Sequence, residues 1–416
     1  MDNLIADVIG DIALVLVVSA LFGAAARRCG QPTVIGQILT GVVLGPSLLG
    51  RLPGHLTSRL FPAQVLPYLN VLSQIAVVIF MFAVGYEIKF GAIRGRGRTV
   101  PLLAASAFAV PFTLGIGCAL LLHSDFTAIG VTHQGRSFVL FIGVACSITA
   151  LPVLAAIARE RGLAETRVGV IATAAAGAMD VIAWLGLAAA LIGSGHSGRF
   201  PWLVTLLLLG CFVTVMLSAV PRLLSWWMGR PNSVLSNPVP VAFALAMGAA
   251  WVTASLGLHP IFGGFVAGLA MRAGSKEQDA EVLRSMDQAG GLLLPLFFIV
   301  TGLSLNAGAL RGDAFIVLAV IIVIAVAGKI GPAYAVSRAC GFPPRESATM
   351  AALVNTRGLT ELIALNLGLA DGLISQRLFT VLVLMALITT LMTGPLLSLT
   401  RSARTPEPAL IEKLTD

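Results

Sequence analysis

Thirteen stretches of this chain are apolar over most or all of the length that a bilayer-spanning helix needs, about 20 residues. They lie at approximately residues 4–26, 33–50, 65–86, 99–122, 137–158, 168–193, 201–220, 239–257, 259–272, 288–306, 314–337, 346–369 and 378–400. Helices and closed barrels are the only backbones that cross a membrane, and runs of this length predict helices. We therefore expect an all-α polytopic membrane protein with about thirteen transmembrane helices.

The composition supports this expectation and narrows the possible partners. Only 11% of the residues are charged, against about 25% in soluble domains. The net charge of +8 does not indicate a nucleic-acid partner, because the basic residues lie between apolar runs, as topology signals do. The five cysteines are scattered without CxxC spacing, so we expect no metal site and no resident cofactor. We expect membrane lipid to surround the protein.

The distribution of basic residues predicts the orientation. Nineteen of the 27 lysine and arginine residues follow odd-numbered runs or the last run, and six lie in the alternate loops. Since cytoplasmic loops collect basic residues, we expect the N-terminus outside and the C-terminus inside the cytoplasmic membrane. The first run has no signal-peptide cleavage site and is expected to be retained. Residues 403–416 are expected to form a short cytoplasmic tail.

Two sequence patterns recur seven runs apart, which indicates an internal repeat. Residues 80–85 read FMFAVG and residues 297–302 read FFIVTG, and each is followed six residues later by another glycine. The Gly36 and Gly41 pair of the second run matches Gly263 and Gly268 of the ninth. An odd offset reverses orientation, so the chain is predicted to contain two inverted six-helix halves joined by the seventh run. Inverted repeats are typical of secondary transporters.

Two runs related by this repeat contain helix-breaking sequences. Residues 147–152 read SITALP, where the proline removes a backbone hydrogen bond; residues 355–358 of the partner run read NTRG. We expect two broken helices that cross at the membrane midplane, where such helices commonly form ion sites. A simple proline kink and a packing glycine are the alternative. The residues expected at the breaks are Ser147, Thr149, Pro152, Asn355, Thr356 and Gly358.

Four ionisable residues lie well inside apolar runs: Asp180, Lys329, Arg357 and Glu361. An acid at the bilayer centre costs roughly 3 kcal/mol on insertion scales, so function is the default interpretation of Asp180. Arg357 and Glu361 are four residues apart and can form an ion pair on one helical face. Their role, and that of Lys329, can be mechanistic or only charge-compensating; a structural pair of Lys329 with Asp180 is one alternative.

The sequence resembles the monovalent cation:proton antiporter-2 family, especially the membrane domain of plant-type cation/proton exchangers. The stretches that carry the resemblance are GQPTVIGQILTGVVLGPSLLG, SITALPVLAAIARERGL, AAAGAMDVIAWLGLA, GLHPIFGGFVAGLAM, LFFIVTGLSLN and LVNTRGLTELIALNLG. The resemblance implies one membrane transporter domain over residues 1–402 and a homodimer. It implies a scaffold at about 4–86 and 201–306, and a moving transport core at about 99–193 and 314–400.

The resemblance also implies roles for individual residues. Asp180 takes the place of the ion-binding aspartate, Thr149 that of the broken-helix polar residue and Lys329 that of the basic residue opposite them. The chain departs from the family at Met179, where Asn, Asp or Gln is common. It also ends about fifteen residues after the last run, so no regulatory domain is expected after the membrane part.

The expected function is secondary antiport of Na⁺ or K⁺ for protons by competition at Asp180. Thr149, Ser147 and freed backbone carbonyls would help to replace the cation's hydration shell. A proton-coupled exporter of an organic ion or drug on the same scaffold is the main alternative. An intramembrane protease is a remote one, because it needs two acids that share a proton and Asp180 has only Glu361 at matching depth. No other enzymatic activity is expected.

Overall fold

The computed structural model describes residues 2–400 with gaps at 32, 46–47, 52–56, 58–59, 88–97, 133, 194–201, 229–236, 257, 272–275, 304 and 306–311. The predicted tail at 403–416 lies outside the described residues. The described part is built from helices: α1 Asp2–Arg28, α2 Thr33–Leu44, α3 Leu66–Glu87, α4 Thr99–Leu121, α5 His123–Ala128, α6 Arg136–Ser147, α7 Leu151–Glu160, α8 Arg167–Gly193, α9 Trp202–Met228, α10 Pro238–Ser255, α11 Pro260–Ala270, α12 Lys276–Leu303, α13 Asp313–Ala339, α14 Pro344–Val354, α15 Leu359–Ala370 and α16 Gln376–Thr400.

The all-α architecture matches the expectation, and every predicted run coincides with a helix or a pair of short helices. Nine helices of the described part are long and apolar enough to cross a membrane; the count of thirteen crossings stays a prediction. Several boundaries differ. Helix α12 begins twelve residues before the predicted residue 288, because its first turns are charged yet rich in good helix formers. Helix α9 runs through Pro221 to Met228 instead of ending at residue 220.

The two interrupted helices are confirmed and they cross. Helix α6 ends at Ser147 and α7 begins at Leu151, so Pro152 lies in the first turn of α7, where a missing N–H costs nothing. Helix α14 ends at Val354 and α15 begins after Gly358. The Ala150 N–H donates to the Thr356 carbonyl at 3.1 Å. This hydrogen bond joins the two unwound segments directly.

Helix packing reproduces the inverted repeat. A Cβ atom added at Gly36 would lie 2.2 Å from the Phe22 carbonyl oxygen of α1, and one at Gly263 would lie 2.2 Å from the Ala249 oxygen of α10. Thus α1 packs on α2 as α10 packs on α11. The predicted glycine pairs therefore mark equivalent close contacts in the two halves.

The halves also interlock. Gly41 of α2 lies against Gly302 of α12, which belongs to the second half, and Gly268 of α11 lies against the Phe82 carbonyl of α3, which belongs to the first. Backbones approach this closely only where a side chain is absent. Each short glycine-rich helix is consequently packed on a long helix of the other repeat.

The described helices pack as two groups. Helices α4, α6, α8, α13, α14, α15 and α16 pack around the crossing, whereas α1, α2, α3, α10, α11 and α12 pack on one another. The first group lies within the ranges predicted for the core and the second within those predicted for the scaffold; the division into core and scaffold stays a prediction. Their motion relative to each other stays a prediction.

Candidate functional site

Asp180 lies on α8 beside the crossing and has no access to solvent. Neither of its carboxylate oxygens accepts a hydrogen bond from any described residue. The backbone N–H of Leu151, in the first turn of α7, is a weak donor near the carboxylate that falls outside strict hydrogen-bond geometry, and Lys329 acts on the carboxylate through its charge. Within the described part of the chain no ion pair joins Asp180 to Lys329. A buried, unpaired carboxylate is unfavourable unless a proton or a cation neutralises it.

A narrow cavity adjoins this carboxylate. Asp180, Ile148, Trp184 and Thr360 are among the residues that line it. The Trp184 ring packs edge-on against the Phe262 ring of α11, with 6.0 Å between ring centroids. Helix α11 belongs to the scaffold group, so an aromatic contact between core and scaffold forms one wall of the cavity.

Arg357 is fully buried between the two broken helices. It donates to the Ala145 carbonyl at 2.6 Å and to the Cys146 carbonyl, and it pairs with Glu361 at 2.9 Å. The last carbonyls of a helix have no partner within the helix. Arg357 therefore satisfies two free carbonyls of α6 while Glu361 of α15 neutralises it; the expected ion pair is present, but Arg357 lies in the unwound segment rather than on a shared helical face.

Lys329 of α13 donates hydrogen bonds to the carbonyls of the next two residues. Its ammonium donates to the Ser147 carbonyl at 2.8 Å and to the Ile148 carbonyl. The four carbonyls of residues 145–148 are thus bound by two basic side chains. The negative end of a helix dipole favours basic groups at this position.

The predicted hydroxyl ligands are engaged elsewhere. Thr149 donates to the Val354 carbonyl at 3.0 Å, and its oxygen lies 3.8 Å from the Met179 sulfur. Ser147 donates back to the Gly143 carbonyl of its own helix at 2.8 Å. The Met179 side chain of α8 therefore lies next to Thr149 of the first break. The structure brings Thr149, Asp180 and Lys329 to one crossing, but it directs the Ser147 hydroxyl into α6.

A row of threonines on α16 supports the second break and was missed in the sequence. Thr390 donates to the Arg357 carbonyl at 2.6 Å, and the Arg357 N–H donates to the Thr390 hydroxyl at 3.2 Å. The Asn355 amide donates to the Thr389 carbonyl at 3.4 Å, and the Thr356 hydroxyl lies 3.4 Å from that of Thr393. Neutral groups thus make these contacts of residues 355–357, whereas the basic side chains of Arg357 and Lys329 bind the carbonyls at the first break.

Thr360 was also missed by sequence reasoning. It lies in the first turn of α15, it is 1% exposed, and it lines the cavity of Asp180. Its hydroxyl oxygen has no hydrogen-bond partner in the described part of the chain. The signal was present in the sequence as a threonine just after the break, two residues beyond Gly358.

The broken helices leave few oxygens free at this site. The carbonyls of residues 145–148, Val354 and Thr356 are all engaged. The side-chain oxygens without partners among the described residues near the crossing belong to Asp180, Asn355, Thr360 and Glu361. These four side chains therefore offer oxygens that a ligand of the site could bind without displacing a hydrogen bond.

Comparison with known proteins places this geometry among membrane transporters. Residues 14–400 match the family model described as "Sodium/hydrogen exchanger, transmembrane". The chain is 37% identical over 401 residues to "Cation/H(+) antiporter 19" of Arabidopsis thaliana, covering 94% of this chain and 49% of that protein. The chain thus spans about half the length of that plant relative.

A second relative is matched over nearly its whole length. The chain is 34% identical over 397 residues to "Na(+)/H(+) antiporter NhaS4" of Synechocystis sp., covering 94% of this chain and 96% of that protein. Among solved structures, the sodium proton antiporter MjNhaP1 from Methanocaldococcus jannaschii at pH 8 superposes with a TM-score of 0.67 at 16% identity. That match covers 94% of this chain and 96% of the MjNhaP1 chain and shows a shared fold.

Proposed function

The chain belongs to the transmembrane sodium/hydrogen exchanger family, and on that basis we propose that it exchanges a monovalent cation, Na⁺ or K⁺, for protons across a membrane. The single observation that carries the proposal is Asp180. It is a fully buried carboxylate without a hydrogen-bond partner among the described residues, and it lies at the crossing of two broken helices. The relatives are named as cation/proton and Na⁺/proton antiporters.

Competition for one carboxylate couples the two fluxes. The ionised form of Asp180 is costly in this interior unless a positive charge accompanies it. A proton and a metal cation each supply that charge, and one carboxylate does not accommodate both. With a single acid the simplest stoichiometry is one proton for one cation, which moves no net charge.

The two buried basic residues are bound to other groups, which leaves Asp180 to be neutralised by one added positive charge. Arg357 is already neutralised by Glu361, and Lys329 is held by two carbonyls. Both side chains fix the end of α6 in place without occupying Asp180. We propose that the core then moves as a body against the scaffold, so that Asp180 is exposed to one side of the membrane at a time.

The proposal includes the surroundings of the chain. It is a multi-pass membrane protein; the cytoplasmic membrane is its proposed location, with the N-terminus outside and the C-terminus inside. We propose a homodimer assembled through the scaffold. Helices α1 and α9 are the least covered of the long apolar helices, with 17% and 11% of their spans buried, so their outer faces contact lipid or a second copy.

The two alternatives are less well supported. An organic-ion exporter needs a site of larger volume, whereas the cavity beside Asp180 is narrow and Trp184 lines one side of it. A protease needs a second acid next to Asp180, and Glu361 is paired with Arg357 at 2.9 Å. We therefore propose a transporter rather than an enzyme, with the transported ions as its only ligands and no resident cofactor.

Asp180→Asn tests the proposal. The amide keeps the size of the side chain but neither ionises nor binds a cation strongly, so cation-dependent proton flux in proteoliposomes is expected to fall to the level of empty vesicles. The measurement follows internal pH after addition of Na⁺, K⁺ or organic cations in turn. Undiminished exchange in this variant would refute the role of Asp180.

Asp11→Asn provides a matched control. Asp11 is also buried within an apolar helix, at 7% exposure, and one of its oxygens lacks a partner in the described part of the chain. It lies on α1 of the scaffold, away from the crossing. We expect this variant to retain exchange, which would show that the loss in Asp180→Asn does not arise from removing any buried acid.

A further inference from the structure

We propose that Thr360 supplies a cation-binding oxygen to the same site as Asp180. This inference rests on the proposed exchange function and adds a ligand from α15, the half-helix that follows the second break. Both residues line one cavity. Both are at least 99% buried, and the oxygens of both side chains lack hydrogen-bond partners within the described residues.

The position of Thr360 in its helix explains why its hydroxyl is free. Buried threonines in helices usually donate to the carbonyl one turn earlier, as Thr40 does to Gly36 and Thr253 does to Ala249 and Ala250. Thr360 lies in the first turn of α15, and the carbonyl four residues earlier belongs to Thr356. The Ala150 N–H of the other broken helix binds that carbonyl. The break in the helix thus leaves this hydroxyl available to a ligand.

Other oxygens near Asp180 already take part in a hydrogen bond, unlike that of Thr360. Thr149 donates its proton to the Val354 carbonyl, and its neighbour across the break is the sulfur of Met179. The carbonyl of Ile148, the linker residue that lines the cavity, binds Lys329. Alkali cations bind to oxygen ligands that replace their hydration shell. Thr360 is the neutral hydroxyl in this cavity that can do so without first breaking a hydrogen bond.

Thr360→Val removes the hydroxyl and preserves the shape of the side chain. We expect the apparent KM for the transported cation to rise about tenfold, the effect of losing one polar contact to a charged group. Thr360→Ser keeps the oxygen and is expected to stay within about threefold of the original KM, a difference of less than 1 kcal/mol. The maximal rate should change less than KM in both variants. Exchange is measured with the full chain in proteoliposomes.

Thr253→Val is the matched control. Thr253 is also fully buried, and its hydroxyl bonds within helix α10 of the scaffold. The same chemical change there should leave KM unaltered. A general effect of burying valine in place of threonine would raise KM in both variants, and that result would overturn the assignment of Thr360.

Cation-dependent thermal stabilisation supplies a readout that does not depend on transport. A ligand that binds the folded protein raises its unfolding temperature; NaCl and KCl, with choline chloride as the reference salt, should do so for the unmodified chain and for Thr360→Ser. We expect Thr360→Val to lose most of this shift. If Thr360→Val does not fold, Thr360→Ala is compared with Thr360→Ser in the same way.

The possible results separate this inference from the proposed function. Unchanged KM and unchanged cation stabilisation in Thr360→Val overturn the inference while exchange itself stands. A change confined to the maximal rate also overturns it, because a group that only positions Asp180 would act in that way. Absence of cation-dependent proton flux in the unmodified chain would instead refute the proposed function.

Discussion

Arg357 has two tasks at the level of single residues. It satisfies the Ala145 and Cys146 carbonyls at the end of α6 and it neutralises Glu361. All of these groups are buried. Replacing a buried ion pair by apolar groups is often tolerated, but removing one partner leaves an uncompensated charge. The two members of the pair should therefore differ in how much stability their replacement costs.

Arg357→Met is expected to destabilise the protein strongly, by about 3–5 kcal/mol, because it leaves the buried Glu361 unpaired. Two carbonyls of α6 also lose their donor. Glu361→Gln removes the acid that neutralises Arg357, but the amide oxygen and the two α6 carbonyls still accept hydrogen bonds from the guanidinium, so the cost should be smaller, about 1–3 kcal/mol. The midpoint of thermal unfolding in detergent ranks the two variants. Equal stability would show that Arg357 does not hold the end of α6.

At the level of helices, some neighbours pack backbone against backbone at glycines instead of through large side chains. The contact between α2 and α12 depends on Gly41 and Gly302, where added Cβ atoms would lie 2.1 Å and 2.0 Å from backbone atoms of the opposite helix. In a membrane, packing of this kind contributes much of the attraction between helices. The contact is also where one repeat packs on the other, so it fixes the position of the short helix α2.

Gly302→Ala is expected to push α2 and α12 apart and to lower the free energy of unfolding by about 1–3 kcal/mol, the usual cost of overpacking. Gly291→Ala on the same helix is the control, since nothing lies within 4 Å of its added Cβ atom. That change should be neutral or stabilising by up to about 1 kcal/mol, because alanine favours helix over glycine. Both are measured by thermal unfolding. Equal destabilisation by the two changes would argue against a specific contact.

At the level of the whole molecule, polar contacts link the core group to the scaffold group at both ends of the interface. Asn366 of α15 donates to Thr301 of α12 at 2.9 Å. Arg161, which follows α7, donates to the carbonyl of Gly30, which follows α1, at 3.4 Å. The proposed exchange needs the core to move, so at least one of these contacts must break in each transport cycle.

A covalent link between core and scaffold should stop exchange. Cysteines in place of Asn366 and Thr301, joined by a short bis-methanethiosulfonate crosslinker, are expected to abolish cation-dependent proton flux, and reduction of its two disulfide bonds by a thiol should restore the flux. The control link joins the positions of Tyr86 and Asp279, which hydrogen-bond at 2.5 Å within the scaffold, and should leave exchange intact. The exposed Cys29 and Cys211 are first replaced by serine. Full exchange by fully crosslinked protein would exclude movement at this interface.

The sequence predicted the helical architecture, the two breaks and the residues around them, because each depends on local patterns. A run of about 20 apolar residues, a proline after polar residues and a repeated glycine spacing are visible without tertiary structure. It did not reveal Thr360 or the threonines of α16. Threonine is common in membrane helices, and only the position of each hydroxyl relative to the breaks distinguishes these residues from Thr253.

Sequence alone thus determined that Asp180, Lys329, Arg357 and Glu361 are costly charges within apolar helices, since burial follows from their surroundings in the chain. The spacing also predicted the pair of Arg357 with Glu361, and tertiary structure alone decided the other partners. In the fold, Lys329 and Arg357 bind carbonyls at the end of α6 rather than Asp180, because the last carbonyls of a helix have no partner within the helix. Asp180 was left beside Thr360 with its oxygens free for a proton or a cation.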